Sequence, residues 1–285
     1  MKLIYSMIIW IASYPKSGNT YIRSFIASYY FSKKGKFSLN LLSNILQFPS
    51  VKFSKKNIYT EEEAAQSWIY NQNIFFSGDK IHFLKTHNSL DQYTGYDFTS
   101  NSQTLAAIYI VRDPRNVITS MTNHYSLSYE NAFSKMLDKN SSLLQKVVDT
   151  DYSGYTYLGS WSSHYKSWKD NKKFKTLFIK YEDLEDNKYE TFKKIVKFIN
   201  NFKKDEKKID EKKLINAINS TSFSNLRNLE KNEGFEESMY SKNMEIKINF
   251  FHLGFNNRWK KILPKEILNK LNNAFQKDIN ELGYN

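Results

Sequence analysis

The string Tyr14-Pro15-Lys16-Ser17-Gly18-Asn19-Thr20 follows an apolar run and precedes a helical pattern. Tyr21, Ile22, Phe25, Ile26 and Tyr29 share one face within Asn19–Tyr30, so a helix is expected to begin near Ser17–Asn19. A strand, a tight turn and a helix N-terminus in that order aim several backbone N–H groups at one point, where the helix dipole favours negative charge. Gly18 allows close backbone approach, and Lys16 supplies a point charge for a group being transferred. The chemistry is phosphate binding. A kinase-like nucleotide enzyme would need GxxxxGK[ST], with lysine after the second glycine. Here Lys16 precedes a lone glycine, and no acidic residue follows a strand where it would hold Mg²⁺. Phosphoryl transfer from a Mg²⁺-nucleotide is therefore disfavoured.

A second anion site is expected at Arg112-Asp113-Pro114-Arg115. Asp113 reads as an N-cap and Pro114 as the first helical residue. Asn116 and Ser120 are four apart and share a face of that helix. Arg112, the Ser120 hydroxyl and a helix N-terminus suit a second phosphate. A third cluster, Lys85-Thr86-His87, places an imidazole at a strand end, where it suits a general base for an alcohol, with Lys85 assisting. His124 and His164 lack such context and read as structural. His82 is expected to face the other layer.

These clusters need elements to position them. The apolar runs Ile8–Ser13, Ile81–Leu84, Leu105–Val111 and Thr176–Ile179 read as strands, each followed by a polar cluster; the fourth is Lys180-Tyr181-Glu182-Asp183. Helical patterns between them predict an α/β fold with a central parallel sheet flanked by helices. Ligands bind such sheets at the carboxyl ends of the strands, so four clusters at four strand ends predict one shared pocket. With 285 residues, no linker and no repeat, a single domain over residues 1–285 is expected. Leu3–Ala12 could pass for a signal-peptide core, but it falls short of the roughly 18 apolar residues of a membrane span. Cleavage after it would cut into the lysine string. It is read as strand one, in a cytoplasmic protein without a membrane partner.

Composition narrows the classes further. There is no cysteine, and the five histidines show no metal-ligand spacing, so no metal is expected. A net charge of +13 fits a nucleic acid, an anionic membrane or a polyanionic small ligand as partner. Much of the excess lies in Lys193–Lys213, where lysines fall between the apolar positions Phe192, Ile195, Val196 and Ile199 and read as a solvated face. A basic nucleic-acid-binding protein is the alternative that the charge and the 20 tyrosines suggest, but no zinc-finger, RNA-recognition or basic-zipper pattern is present.

Taken together, these strings resemble the cytosolic-type sulfotransferases that use 3′-phosphoadenosine 5′-phosphosulfate (PAPS), whose fold is similar to that of P-loop nucleotide enzymes. YPKSGNTY resembles that family's 5′-phosphosulfate loop, and IYIVRDPRNVITS its 3′-phosphate element. LKTH resembles the segment bearing the base, GSWSSHYKSW and LFIKYEDL the helix and strand beyond it, STSF an adenine-contacting turn, and HLGFNNRWKK the C-terminal loop. ELGY near the end fits the same order. The resemblance implies that Lys16, Ser17, Gly18, Asn19, Thr20 and Tyr21 hold the 5′-phosphosulfate, with Tyr21 where a tryptophan often faces the adenine. It implies Arg112 and Ser120 on the 3′-phosphate and Tyr181, Thr221 and Phe223 on the adenosine. His87 would be the base and Lys85 would line the reacting centre. The C-terminal loop departs from the family's arginine-x-glycine: here it is His252-Leu253-Gly254, so a fixed positive charge is replaced by a titratable one. Asn257 stands where a second glycine is usual, and Leu263-Pro264 replaces the dimerisation signature of animal members. The implied acceptor is a small molecule with a hydroxyl or amine, its pocket drawn from Phe31–Tyr59 and Tyr125–Tyr155.

Overall fold

The structure is a computed structural model that describes residues 7–144, 151–203, 208–240 and 247–284. The start of the Leu3–Ala12 run, residues 145–150 of the expected acceptor segment and residues 204–207 of the lysine-rich stretch lie outside the described residues.

Along the chain the first elements are β1 (Met7–Ser13), α1 (Asn19–Phe31), β2 (Leu46–Gln47), α2 (Glu61–Phe76), β3 (Ile81–Thr86), β4 (Thr104–Val111) and α3 (Pro114–Tyr125). Then come α4 (Tyr129–Leu137), β5 (Ser142–Leu144), β6 (Tyr155–Tyr157), α5 (Trp161–Lys169), β7 (Lys175–Lys180), α6 (Asp183–Asp186) and α7 (Lys188–Asn200). The chain continues through α8 (Glu211–Ser220), α9 (Phe223–Glu233), β8 (Met239–Tyr240), β9 (Lys247–Ile248), α10 (Trp259–Ile262) and α11 (Lys265–Leu282). All four expected strands are present within two residues of their expected bounds.

The main sheet has five strands in the order β2-β3-β1-β4-β7. β1 runs parallel to β3 and β4, and β2 runs parallel to β3. A central parallel strand is covered on both faces, which explains why Ile8 to Ala12 is a continuous apolar run with no exposed residue. The chain divides into two compact units. The first comprises residues 1–14, 45–111 and 137–179 and holds the sheet. In it Trp68 and Phe76 of α2 pack on Phe98 and Phe48, at 5.6 and 6.1 Å between ring centres. Trp168 and His164 of α5 lie 5.9 and 5.7 Å from Tyr109 of β4. His82 meets Phe76 of α2 at 5.4 Å.

The second unit comprises residues 15–44, 112–136 and 180–285. Its core joins α1 to α7 through Phe25 and Phe192, 4.0 Å apart, with Tyr21 edge-on to Phe192. The start of α3 follows its sequence: the Asp113 carboxylate accepts from the Arg115 N–H and Pro114 takes the first turn. α1 differs, since it begins after Gly18 without a side-chain cap among the described residues. Its first turn is closed by the Gly18 carbonyl, which accepts from the Tyr21 and Ile22 N–H groups at 3.1 and 3.3 Å.

Candidate active site

The turn before α1 is held in an unusual backbone conformation. Lys16 has φ 66° and Gly18 φ 101°. A left-handed lysine costs roughly 1–2 kcal/mol, so something must fix it. Arg112 does: its Nη1 donates to the Lys16 carbonyl at 3.2 Å, and its Nη2 donates to the Gly254 carbonyl at 3.3 Å. The same guanidinium lies 4.2 Å over the Tyr181 ring. Tyr181 in turn lies so close to Gly18 that a Cβ there would sit 2.3 Å from its Cδ2. Glycine is required at that position for approach as well as for φ. Gly254 repeats the pattern, with φ 55° and a hypothetical Cβ 2.5 Å from the Phe223 ring. Phe255 joins the group, 5.2 Å from Tyr181 and 5.9 Å from Tyr21.

Three of the four clusters expected at strand ends thus meet in the second unit. Burial raises the Tyr21 and Tyr181 phenols above their usual range, although the Arg112 charge works against this for Tyr181, so both are neutral phenols near neutral pH. Ser17 is fully buried with its hydroxyl unpartnered among the described residues, and the buried Arg112 Nε is likewise unpartnered. Orphaned buried donors beside an uncapped helix start are what an anionic ligand would satisfy. The residues present therefore fit a phosphate-bearing nucleotide. Lys16 Nζ lies 4.0 Å over the Phe250 ring.

Other expected residues are placed differently. The Thr20 hydroxyl donates to Glu237 Oε2 at 3.1 Å, and Arg23 pairs with the same carboxylate. Thr221 is buried with its hydroxyl on the Ala217 carbonyl at 2.7 Å, where it closes α8. Ser120 is half-buried on α3. The His252 side chain is exposed on one side, and partial desolvation on the other, together with the Arg227 charge, lowers its pKa. Gly254 rather than His252 contributes the loop's contact to Arg112.

Asn257 has a definite task. Its amide donates to the Asn116 carbonyl at 2.9 Å and accepts from Thr119 Oγ1 at 2.6 Å, while Asn116 Oδ1 accepts from the Trp259 N–H. A glycine there could not clamp the C-terminal loop to α3. The terminal ELGY string is used in the same way. Arg115 binds both oxygens of Asp113, donates to the Tyr284 carbonyl at 2.8 Å and stacks 4.1 Å from Trp259. Glu237, Arg227 and the Asn257 clamp escaped sequence reasoning because each partner lies more than 20 residues away or is an unremarkable helix position.

His87 belongs to the first unit. Its Nδ1 lies 2.7 Å from the Ser13 carbonyl and 3.3 Å from Ser13 Oγ, at the end of β1. A carbonyl only accepts, so Nδ1 carries the proton and the ring's lone pair is at Nε2. Lys85 is 4% exposed on β3, opposite Ile11 of β1 and Gln47 of β2. His164, expected to be structural, also touches this group: its Nε2 lies 2.9 Å from the His87 carbonyl and its Nδ1 2.8 Å from the Tyr109 hydroxyl. His124 packs in the second unit, edge-on to Phe250 at 5.5 Å. Among the described residues no three His, Asp or Glu side chains gather as a metal would require, and no helix is long and apolar enough to cross a membrane.

Comparison with known proteins gives the family. Residues 7–283 match the family model described as a sulfotransferase domain. The chain is similar to flavonol 3-sulfotransferase of Flaveria bidentis, 23% identical, with 96% of this chain and 82% of the relative covered. It is also similar to sulfotransferase 1B1 of Mus musculus, 24% identical, with 75% of this chain and 64% of that one covered. Among solved structures, mouse sulfotransferase SULT7A1 complexed with PAP superimposes with a TM-score of 0.59 at 18% identity, covering 98% of this chain and 84% of that one. Retinol dehydratase in complex with androsterone and PAP gives 0.60 at 15% identity, covering 95% and 80%. At such identities the structural likeness is one of fold: an α/β fold with a central parallel sheet. The match over nearly the whole chain decides the rest, and the protein belongs to the sulfotransferase domain family.

Proposed function

We propose that the protein transfers a sulfuryl group from PAPS to the hydroxyl of a small organic acceptor, and that residues 7–283 act as one catalytic domain. The observation that carries this reading is the Arg112 node, which ties Lys16, Tyr181 and Gly254 together while Ser17 Oγ and Arg112 Nε are buried and unsatisfied among the described residues. In this reading the N–H groups of Ser17 to Thr20 and the Ser17 hydroxyl hold the 5′-phosphosulfate, while the Tyr21 N–H donates to the Gly18 carbonyl. Arg112 and Ser120 grip the 3′-phosphate, and His252, whose pKa the neighbouring Arg227 helps to lower, would gain charge only as the phosphate binds. Phe223, Tyr181 and Tyr21 supply the aromatic surface for adenosine. Thr221 acts through the end of α8, which it closes.

The same reading gives the transfer step. The acceptor oxygen attacks sulfur, its proton passes to His87 Nε2, and the bond from sulfur to the bridging phosphate oxygen breaks. Adenosine 3′,5′-bisphosphate departs with the bonding electrons. Lys16 offsets the charge growing on the bridging oxygen, and the buried Lys85 assists. Ser13, which orients the base, and Lys16, which meets the leaving group, are three residues apart in the chain. The names of relatives indicate flavonols for the Flaveria protein, and solved neighbours were captured with androsterone and with retinol. A planar or polycyclic alcohol is accordingly the first acceptor class to test.

The test of the donor site is titration calorimetry with adenosine 3′,5′-bisphosphate and with AMP. Contacts to a charged phosphate contribute roughly 1.5–3 kcal/mol per hydrogen bond, so the bisphosphate is expected to bind much more tightly. Equal affinities would exclude a second phosphate site and this reading with it.

A further inference from the structure

The hydrogen bonds around His87 form a closed circuit. The ring Nδ1–H donates to the Ser13 carbonyl at 2.7 Å. The His87 carbonyl accepts from His164 Nε2 at 2.9 Å. His164 Nδ1 accepts from the Tyr109 hydroxyl at 2.8 Å. Tyr109 is itself hydrogen-bonded by the backbone of Tyr14, the residue after Ser13. The two histidines are 77 residues apart in sequence, and His164 and Tyr109 are 55 apart.

We propose that His164, locked by Tyr109, is a positioning residue for sulfuryl transfer: it fixes the His87 backbone so that the imidazole keeps its Nδ1 proton on Ser13 and its lone pair at Nε2. The inference rests on the reading of His87 as the base. The geometry leaves His164 one arrangement. A carbonyl at Nε2 demands a proton there, and the hydroxyl at Nδ1 then donates to the bare nitrogen. His164 is fully buried, with the Tyr14 ring edge-on at 5.4 Å, so it has no alternative rotamer in solvent. Burial also lowers its pKa to about 4, which keeps it neutral and the direction of the circuit unchanged near neutral pH. A carbonyl held by a neutral N–H fixes position without placing a second positive charge beside the base. Trp168 and Tyr157 still hold the next residue, Asn88, at 3.0 and 2.9 Å, so loss of this anchor lets the His87 peptide unit tilt rather than unfold. The His87 ring can then lose Ser13 and place its proton on Nε2, where it cannot take one from an acceptor.

The decisive measurement is the ring tautomer of His87, read by long-range ¹⁵N–¹H NMR on histidine-labelled protein saturated with adenosine 3′,5′-bisphosphate at pH 8. This readout needs no acceptor. Wild type is expected to show His87 as the Nδ1–H form and His164 as the Nε2–H form. His164→Leu, which removes both bonds, is expected to shift His87 towards the Nε2–H form. His164→Gln, which can donate to one partner and accept from the other, is expected to restore it. Tyr109→Phe shifts it partway and carries the comparison should His164→Leu fail to fold. Turnover with 2-naphthol and labelled PAPS is measured alongside. Because small misplacements cost rate rather than binding, kcat is expected to fall about 100-fold in His164→Leu with nucleotide affinity unchanged. An unchanged His87 tautomer in both His164→Leu and Tyr109→Phe would overturn the positioning role. A His87→Ala protein with full turnover would instead overturn the base itself, which separates the two failures.

Discussion

The two regions that carry the proposed chemistry are built on opposite electrostatic plans. Around Lys16 the second unit uses fixed charge and uncapped backbone: Arg112 on two carbonyls and an aromatic face, a helix start without a side-chain cap, and Glu237 on Thr20 and Arg23. Around His87 the first unit uses neutral hydrogen bonds that close on themselves through Ser13, His164, Tyr109 and Tyr14. The difference follows from what each must do. A donor that arrives with several negative charges needs fixed opposing charge, and charge tolerates some misplacement because it acts over distance. A base that must take one proton needs orientation, which directional hydrogen bonds to Ser13 and from His164 supply. Salt should therefore weaken the first region and leave the second nearly untouched.

The sharpest way to separate the regions is His87→Ala. It is expected to lower turnover by roughly 10²–10⁴-fold while calorimetry with adenosine 3′,5′-bisphosphate gives the wild-type affinity. Loss of nucleotide binding in this variant would mean that the two plans are not separable.

The neutral circuit has its own signature in pH. The His164 pKa is depressed from 6.5 to about 4 in the folded chain. Its neutral form therefore contributes stability that is complete above pH 6.5 and is lost as pH falls towards 4. The shift corresponds to about 3 kcal/mol at most. Urea unfolding of wild type and His164→Gln between pH 7.5 and 4.5 should show the wild type losing more stability on acidification. Parallel curves would mean that His164 is not held neutral.

On the charged side, Gly18→Ala adds a Cβ 2.3 Å from Tyr181 Cδ2 at a residue with φ 101°. Backbone strain of roughly 1–2 kcal/mol and displacement of Tyr181 are expected to weaken bisphosphate binding by about tenfold or more. In a Tyr181→Ala background the steric part should vanish and the backbone part remain. Equal losses in both backgrounds would show that the ring does not dictate glycine here.

The smallest expected effect concerns Glu237. Glu237→Gln removes a negative charge from the Thr20 hydroxyl and Arg23. A unit charge a few ångströms away in water-like surroundings is worth about 1 kcal/mol, so bisphosphate affinity should rise several-fold at low salt and converge with wild type at high salt. An affinity that is unchanged at every salt concentration would place Glu237 outside the donor's field.

The sequence by itself determined the parallel strands, a start for α1 near Ser17–Asn19 and the capped start of α3 at Asp113-Pro114. It also determined the identity of the residues at each strand end. These features are local: hydrophobic period, a capping residue and a glycine each act within a few positions, so their pattern can be read along the chain. Only tertiary structure decided that Arg112 reaches Lys16 and Gly254, that Asn257 clamps the C-terminal loop to α3, and that Thr20 faces Glu237. Only tertiary structure gave His164 a second role. In sequence it is a buried polar residue on a helix, and such residues are usually satisfied core positions. Its partner is a backbone carbonyl, which every residue carries and no residue type announces, so the contact leaves no trace in composition or spacing. Folding makes it specific, because a buried imidazole must find a donor and an acceptor at fixed places, and here one of those places is the backbone of His87.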